Sequence, residues 1–319
     1  MKILSLFFLT CISLISFAQS TKDSVYIVSE KILKTSTGDI YGLLTIPKNS
    51  VTSPLVIIIG GSGPTDMDCN SSSGIRTNTY KMLAEGFAAN GISTFRFDKR
   101  GVGKSKSAVT SESEIRLETY IKDVVSFINK FKTDKRFSKI ILLGHSEGSL
   151  IGIIAAEQTN VSAFISIAGA GQSGDIILQD QLKNKLPFQL LTESNKILDS
   201  LKAGKTVSNV SSDLFSLYRP GIQPYLISWI KYNPAKELSK LKIPVLIIQG
   251  TTDIQVSVSE AKILHASKPD AKLLIIINMN HILKESEIDS KKNIATYNNP
   301  DLPLKPGLME GIVNFINNK

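Results

Sequence analysis

Residues 140–156 read Ile140-Ile-Leu-Leu-Gly-His-Ser-Glu-Gly-Ser-Leu-Ile-Gly-Ile-Ile-Ala-Ala156. An apolar run, a pentapeptide bracketed by glycines and a second apolar run follow one another, which predicts strand, sharp turn and helix. The strand is predicted over Ile140 to Leu143 and the helix over Ser146 to Gln158, with Leu150, Ile151, Ile154 and Ala155 at helical spacing. Ser146 falls at the turn. A serine there must adopt strained backbone angles, and Gly144 and Gly148 remove the Cβ atoms that would collide with the neighbouring strand and helix. Such a turn lifts the Ser146 hydroxyl above the sheet edge. It also sets the backbone N–H of Glu147, at the positive end of a helix, beside that hydroxyl. The pentapeptide fits G-x-S-x-G, the elbow that carries a nucleophilic serine, and the flanking strand and helix are the context it requires.

Working outward, Leu55 to Ile59 is a continuous apolar run, as expected of a strand buried on both faces. It ends in Gly60-Gly61-Ser62-Gly63-Pro64, a turn whose backbone N–H groups can face a site without side-chain obstruction. A donor from Gly61, Ser62 or Gly63 would complete an oxyanion hole with the Glu147 N–H. Upstream, Val25 to Leu33 and Ile40 to Ile46 read as strands joined by a hairpin at Thr37-Gly38-Asp39. Downstream come a helix over Tyr80 to Ala89 and a strand over Ser93 to Phe97. Asp98-Lys99-Arg100-Gly101-Val102-Gly103-Lys104-Ser105 then invites a phosphate-loop reading. Its two glycines are separated by one residue, however, which is not the G-x-x-x-x-G-K-[ST] spacing. Ile115 to Phe131 is an amphipathic helix, and Ala163 to Ala168 is the strand after the elbow helix.

The alternation breaks from about Gly171 to Lys240. Ile177, Leu178, Leu182, Leu186, Leu226, Trp229 and Ile230 fall at helical spacing there, interrupted by Pro187, Pro220, Pro224 and Pro234. The segment is too long for a crossover and predicts a helical cap inserted over the carboxyl edge of the sheet, although an oligomerisation arm is an alternative. Alternation resumes with a strand at Pro244 to Gln249, a helix at Glu260 to Ser267, a strand at Lys272 to Ile277 and a helix at Leu308 to Ile316. Strands alternating with helices predict an α/β architecture, a mostly parallel sheet with helices on both faces and its site at the strands' carboxyl ends.

A serine hydroxyl needs a base, and a histidine base needs an acid to hold its tautomer. The chain has three histidines. His145 precedes the serine and should point away from its hydroxyl, and His265 lies within a predicted helix. His281, after the last strand, is the base by elimination and position. Asp253, in Gly250-Thr251-Thr252-Asp253, leaves the preceding strand on the same edge, whereas Asp270 enters its strand at the opposite one. The order Ser146, Asp253, His281 is that of the α/β-hydrolases.

These motifs, with Gly60-Gly-Ser-Gly-Pro-Thr-Asp66 and the Asp98 to Ser105 loop, are spread over residues 55 to 290. Together they resemble exported bacterial serine hydrolases of the α/β-hydrolase superfamily, similar to the EstD-type carboxylesterases. The resemblance implies the α/β-hydrolase fold, the triad and hydrolysis of a small-molecule ester without a cofactor. It departs at Met67, where many relatives carry arginine. A Glu147 carboxylate facing inward would disfavour anionic acyl groups. No H-x-x-x-H or C-x-x-C spacing suggests a metal. An exopeptidase or amidase on the same triad, and a binding protein that retains the fold without activity, are the alternatives.

The first 18 residues differ in kind: Lys2, an apolar run from Ile3 to Phe17, and Ser16-Phe17-Ala18 before Gln19 read as a secretory signal peptide. The expected organisation is thus a leader over 1–18, a hydrolase core over 19–170 and 241–319, and a cap over 171–240. The mature chain would be periplasmic or secreted, without a stable membrane anchor. Loss of Lys2 from the 37 basic residues, against 28 acidic ones, leaves a net charge of +8. The charge is dispersed, with no basic block that would suit nucleic acid. Cys11 would leave with the leader and Cys69 alone remains, so no internal disulfide is expected.

Overall fold

The computed structural model describes residues 25–318 apart from residue 73. The predicted leader lies outside the described residues. The chain forms β1 (Tyr26–Thr35), β2 (Gly38–Pro47), β3 (Ser53–Ile59), α1 (Thr79–Ala89), β4 (Ser93–Phe97), α2 (Leu117–Lys132), β5 (Phe137–His145), α3 (Glu147–Glu157) and β6 (Ala163–Ile167). Five helices follow: α4 (Gly174–Leu182), α5 (Phe188–Lys202), α6 (Phe215–Tyr218), α7 (Gln223–Ile230) and α8 (Pro234–Leu238). The chain then returns to β7 (Val245–Gly250), α9 (Val258–Ser267), β8 (Lys272–Ile276), α10 (Ser290–Ala295) and α11 (Leu308–Asn317).

The eight strands make one sheet in the order β1-β2-β4-β3-β5-β6-β7-β8. β1–β2 and β2–β4 are antiparallel and every other pair is parallel. The central strands obey the period of two expected of a pleated sheet. Leu55, Ile57, Ile140, Leu142, Phe164, Val245 and Ile247 face the larger core, with residues of α2, α3 and α9. Val56, Ile58, Ile141, Leu143, Ile165, Leu246 and Ile248 face the other, with residues of α1 and α11. Both faces of these strands are therefore apolar, which is why each reads as an unbroken hydrophobic run. α3 is apolar all round because it packs against the sheet, α2 and α8 together. Among the described residues, no helix is long and apolar enough to cross a membrane.

The first hairpin differs from expectation. It turns at Ser36-Thr37, and Gly38 is already in β2, paired with Thr35. Gly38 has φ 138°, and a Cβ there would lie 2.7 Å from the Ser107 carbonyl oxygen. The glycine serves a close backbone approach rather than the turn. The Asp98 to Ser105 loop also has a structural use. Asp98 accepts from the N–H groups of Met67 (2.7 Å) and Lys104 (2.8 Å), and Arg100 grips the Asp123 carboxylate with two hydrogen bonds of 2.6 and 2.7 Å.

Candidate active site

The ends of β3, β4, β5, β7 and β8 deliver the site residues to one edge of the sheet. Ser146, between β5 and α3, has φ 55° and ψ −124°, a conformation costing on the order of 1–3 kcal/mol that persists only where its surroundings impose it. Here the surroundings are backbone. A Cβ on Gly144 would lie 2.3 Å from the Gly148 carbonyl oxygen, and one on Gly148 would lie 2.2 Å from that of Ile59. The Ser146 N–H donates to Ile167 (2.9 Å), tying the elbow to β6. A Cβ on Gly61 would come within 3.0 Å of Ser146 Cβ, so the glycine-rich loop lies directly against the elbow.

Asp253 and His281 meet. His281 Nδ1 lies 2.8 Å from Asp253 Oδ2, with both side chains almost wholly buried. An ionised carboxylate only accepts, so Nδ1 carries the proton and Nε2 is left as the basic nitrogen. Asp253 Oδ2 also accepts from Gln249 Nε2 (3.0 Å), and Oδ1 accepts from the N–H groups of Gln255 (2.8 Å) and Val256 (2.9 Å). Burial alone would raise this carboxyl. The charge and hydrogen bond of His281, with the two backbone donors, outweigh it and hold Asp253 below the usual carboxylate range.

His145 is wholly buried and does not point to solvent. Its Nε2 lies 2.8 Å from the His281 carbonyl oxygen and its Nδ1 lies 2.8 Å from the Tyr80 hydroxyl. A carbonyl can only accept, so Nε2 carries the hydrogen and Nδ1 accepts from Tyr80. The Tyr80 oxygen in turn accepts the Gly61 N–H at 3.1 Å. Burial first, and the neighbouring His281 second, push His145 down to about 3, so the ring is neutral at ordinary pH. The chain of bonds Gly61–Tyr80–His145–His281 joins the glycine-rich loop to the loop of the candidate base.

That chain corrects the choice of oxyanion donors. The Gly61 N–H is committed to Tyr80 and is not free to face a substrate. The N–H groups of Ser62 and Gly63 have no partner among the described residues. The Glu147 N–H is the first of α3 and has no intrahelical acceptor. The Glu147 carboxylate does not face an acyl group unpaired. It accepts from the Tyr225 hydroxyl of α7 (2.5 Å) and lies 3.5 Å from Lys99 Nζ, and Lys99 also donates to the Gly61 carbonyl.

Other residues singled out in the sequence lie elsewhere. His265 is half-buried on α9, and Asp270 is exposed and paired with Lys268. Cys69 is buried, and burial pushes its thiol up to about 11, so it stays protonated and unreactive. Of the cap aromatics, Phe215 is exposed and Trp229 packs over Gly174, while Tyr225 reaches the elbow. Sequence reading passed over Tyr80, Lys99 and Gln249. Lys99 and Gln249 carried a signal, being polar residues at the carboxyl ends of apolar strands. Tyr80 carried none.

The eight-stranded, mostly parallel sheet, the elbow between β5 and α3, and the helical insertion after β6 define the α/β-hydrolase fold. Residues 74–217 match the profile of a family described as Serine aminopeptidase, S33. The chain resembles Esterase EstD of Thermotoga maritima, with 28% identity over 251 residues. That match takes in 77% of this chain and 58% of the length of the relative. Two solved structures share the fold. Est1E from Butyrivibrio proteoclasticus with ferulic acid bound superposes with a TM-score of 0.60 at 18% identity, covering 90% of this chain and 98% of that one. The esterase Pf2001 of Pyrococcus furiosus gives 0.57 at 14% identity, covering 93% and 94%.

Proposed function

We propose that the protein is a serine carboxylesterase that hydrolyses small, short-chain esters through an acyl-enzyme. The observation that carries the reading is the 2.8 Å His281–Asp253 pair on the sheet edge where the strained elbow presents Ser146. Ser146 Oγ attacks the ester carbonyl carbon while His281 Nε2 takes its proton. The oxyanion is held by the N–H groups of Glu147 and Ser62. Collapse of the tetrahedral species expels the alcohol, which receives the proton from His281. Water, deprotonated by the same nitrogen, then attacks the acyl-enzyme and releases the acid. Asp253, held ionised, keeps Nδ1 protonated and stabilises the imidazolium.

Ester rather than aminopeptide chemistry is favoured by Glu147. An aminopeptidase needs a carboxylate to receive the substrate's ammonium, and the carboxylate next to the nucleophile is already paired with the Lys99 ammonium and hydrogen-bonded by Tyr225. The cap limits substrate size, because Tyr225 reaches from α7 to the residue after Ser146. The test is a panel of p-nitrophenyl esters against aminoacyl-p-nitroanilides, with fluorophosphonate labelling of Ser146. Ester turnover well above anilide turnover is expected. Faster anilide cleavage would mean a peptidase, and an unlabelled, inactive protein would mean a binding protein.

A further inference from the structure

We propose that Lys99 is a positioning residue of the oxyanion hole, acting with Tyr80 to clamp the Gly61–Ser62 peptide so that the Ser62 N–H faces the substrate oxyanion. The inference rests on the esterase reading above. A trans peptide is planar, and its C=O and N–H point in opposite directions. No peptide bond is cis among the described residues. Whatever holds the Gly61 carbonyl therefore sets the direction of the Ser62 N–H. Lys99 Nζ donates to that carbonyl, and the Tyr80 hydroxyl holds the Gly61 N–H on the preceding peptide at 3.1 Å. Both polar groups of Gly61 are thus fixed, and the next free donor along the chain is Ser62.

The clamp has an electrostatic effect as well. The Lys99 and Glu147 side chains are only 5% and 6% exposed, so the ammonium acts in a poorly solvated place. It lies 5.2 Å from the centroid of the Tyr120 ring, which bounds it on another side. A cation on a peptide oxygen draws electron density away from the nitrogen and strengthens the N–H as a donor. The same ammonium lies 3.5 Å from the carboxylate of Glu147, the residue that supplies the other oxyanion N–H. One buried cation therefore ties the two donors together. A lysine present only to neutralise Glu147 would have no need of the Gly61 carbonyl, yet that oxygen is the nearer of its two oxygen partners.

The two roles separate in a pair of variants. Glu147→Gln removes the carboxylate and leaves Lys99 on Gly61. Lys99→Met with Glu147→Gln removes both charges together and leaves no buried ion unpaired. Thermal melting checks that each is folded. Relative to Glu147→Gln, the double variant is expected to lose about 10–100-fold in kcat with KM within about threefold, less than or comparable to loss of an oxyanion donor. Its affinity for an aryl trifluoromethyl ketone, which forms a tetrahedral adduct with Ser146, is expected to weaken by the same factor. Equal kcat and equal ketone affinity in the two variants, or a loss in KM alone, would overturn the proposal.

A second measurement leaves every side chain in place. Exchange of Ser62 for its α-hydroxy acid counterpart, which replaces the N–H by oxygen, is expected to lower kcat by about 100–1000-fold. Unchanged turnover there would also overturn the clamp. An active parent with indifferent variants refutes the clamp alone. A parent that hydrolyses no ester and is not labelled at Ser146 refutes the esterase reading, and the clamp with it.

Discussion

In the proposed mechanism Ser146, His281 and Asp253 act on one proton and one carbonyl carbon, so their effects on turnover should not add. Ser146→Ala and His281→Ala are each expected to lower kcat by about 10⁴–10⁶-fold, with Asp253→Ala costing somewhat less and double variants little more. Steady-state kinetics on p-nitrophenyl butyrate would check this, and near-normal turnover in either of the first two would remove the assignment. His145 gives a pH dependence of a different origin. Its folded pKa, about 3, lies below the ordinary value of 6.5. Between those values the unfolded chain binds a proton that the native one does not. The contribution is therefore complete above pH 6.5 and is lost as pH falls toward 3. Melting temperature should decline through that window, and a folded His145→Gln variant should show a shallower decline; an unchanged slope would contradict the reading.

At the scale of elements, the elbow is a junction of three backbones, β3, β5 and α3, held closer than a methyl group permits. Gly148→Ala would push a Cβ to 2.2 Å from the Ile59 carbonyl oxygen, inside a fully buried strand end that cannot recede. A loss of about 1–3 kcal/mol or more is expected in urea unfolding, with displacement of Ser146 and a fall in activity larger than the stability loss explains. Gly63→Ala is the contrasting case. A Cβ there meets nothing within 4 Å, so only its φ of 76° opposes the change.

For the whole molecule, helix α7 of the insertion reaches the elbow through the Tyr225–Glu147 hydrogen bond, and on the proposed function the insertion is expected to bound the acyl pocket. Each methylene that fits should add up to about 0.8 kcal/mol to transition-state binding, and none once the pocket is filled. In an ester series from acetate to palmitate, kcat/KM is expected to peak at short chains, without a jump at the micelle threshold. A maximum at palmitate would show that the cap opens to lipid. We further propose export by the leader, so intact mass of exported protein should show loss of 18 residues; a retained Met1 or a lipid on Cys11 would refute it.

The sequence by itself determined the fold class, because strands buried on both faces must be continuously apolar and the helices between them must carry their own period. The elbow was legible for a related reason: only glycine fits where two backbones nearly touch, and Gly144 and Gly148 bracket one serine. Ser146, Asp253 and His281 could be nominated because each follows an apolar strand on the same edge. Tertiary structure decided what local pattern does not encode. It gave Gly38 a close approach instead of a turn, paired Glu147 with Lys99 and Tyr225, and committed the Gly61 N–H to Tyr80. Those contacts join residues 19 to 78 positions apart. Hydrogen bonds between residues so far apart are set by how the sheet edge and the cap come together, and neither side of such a bond leaves a periodic trace in its own segment.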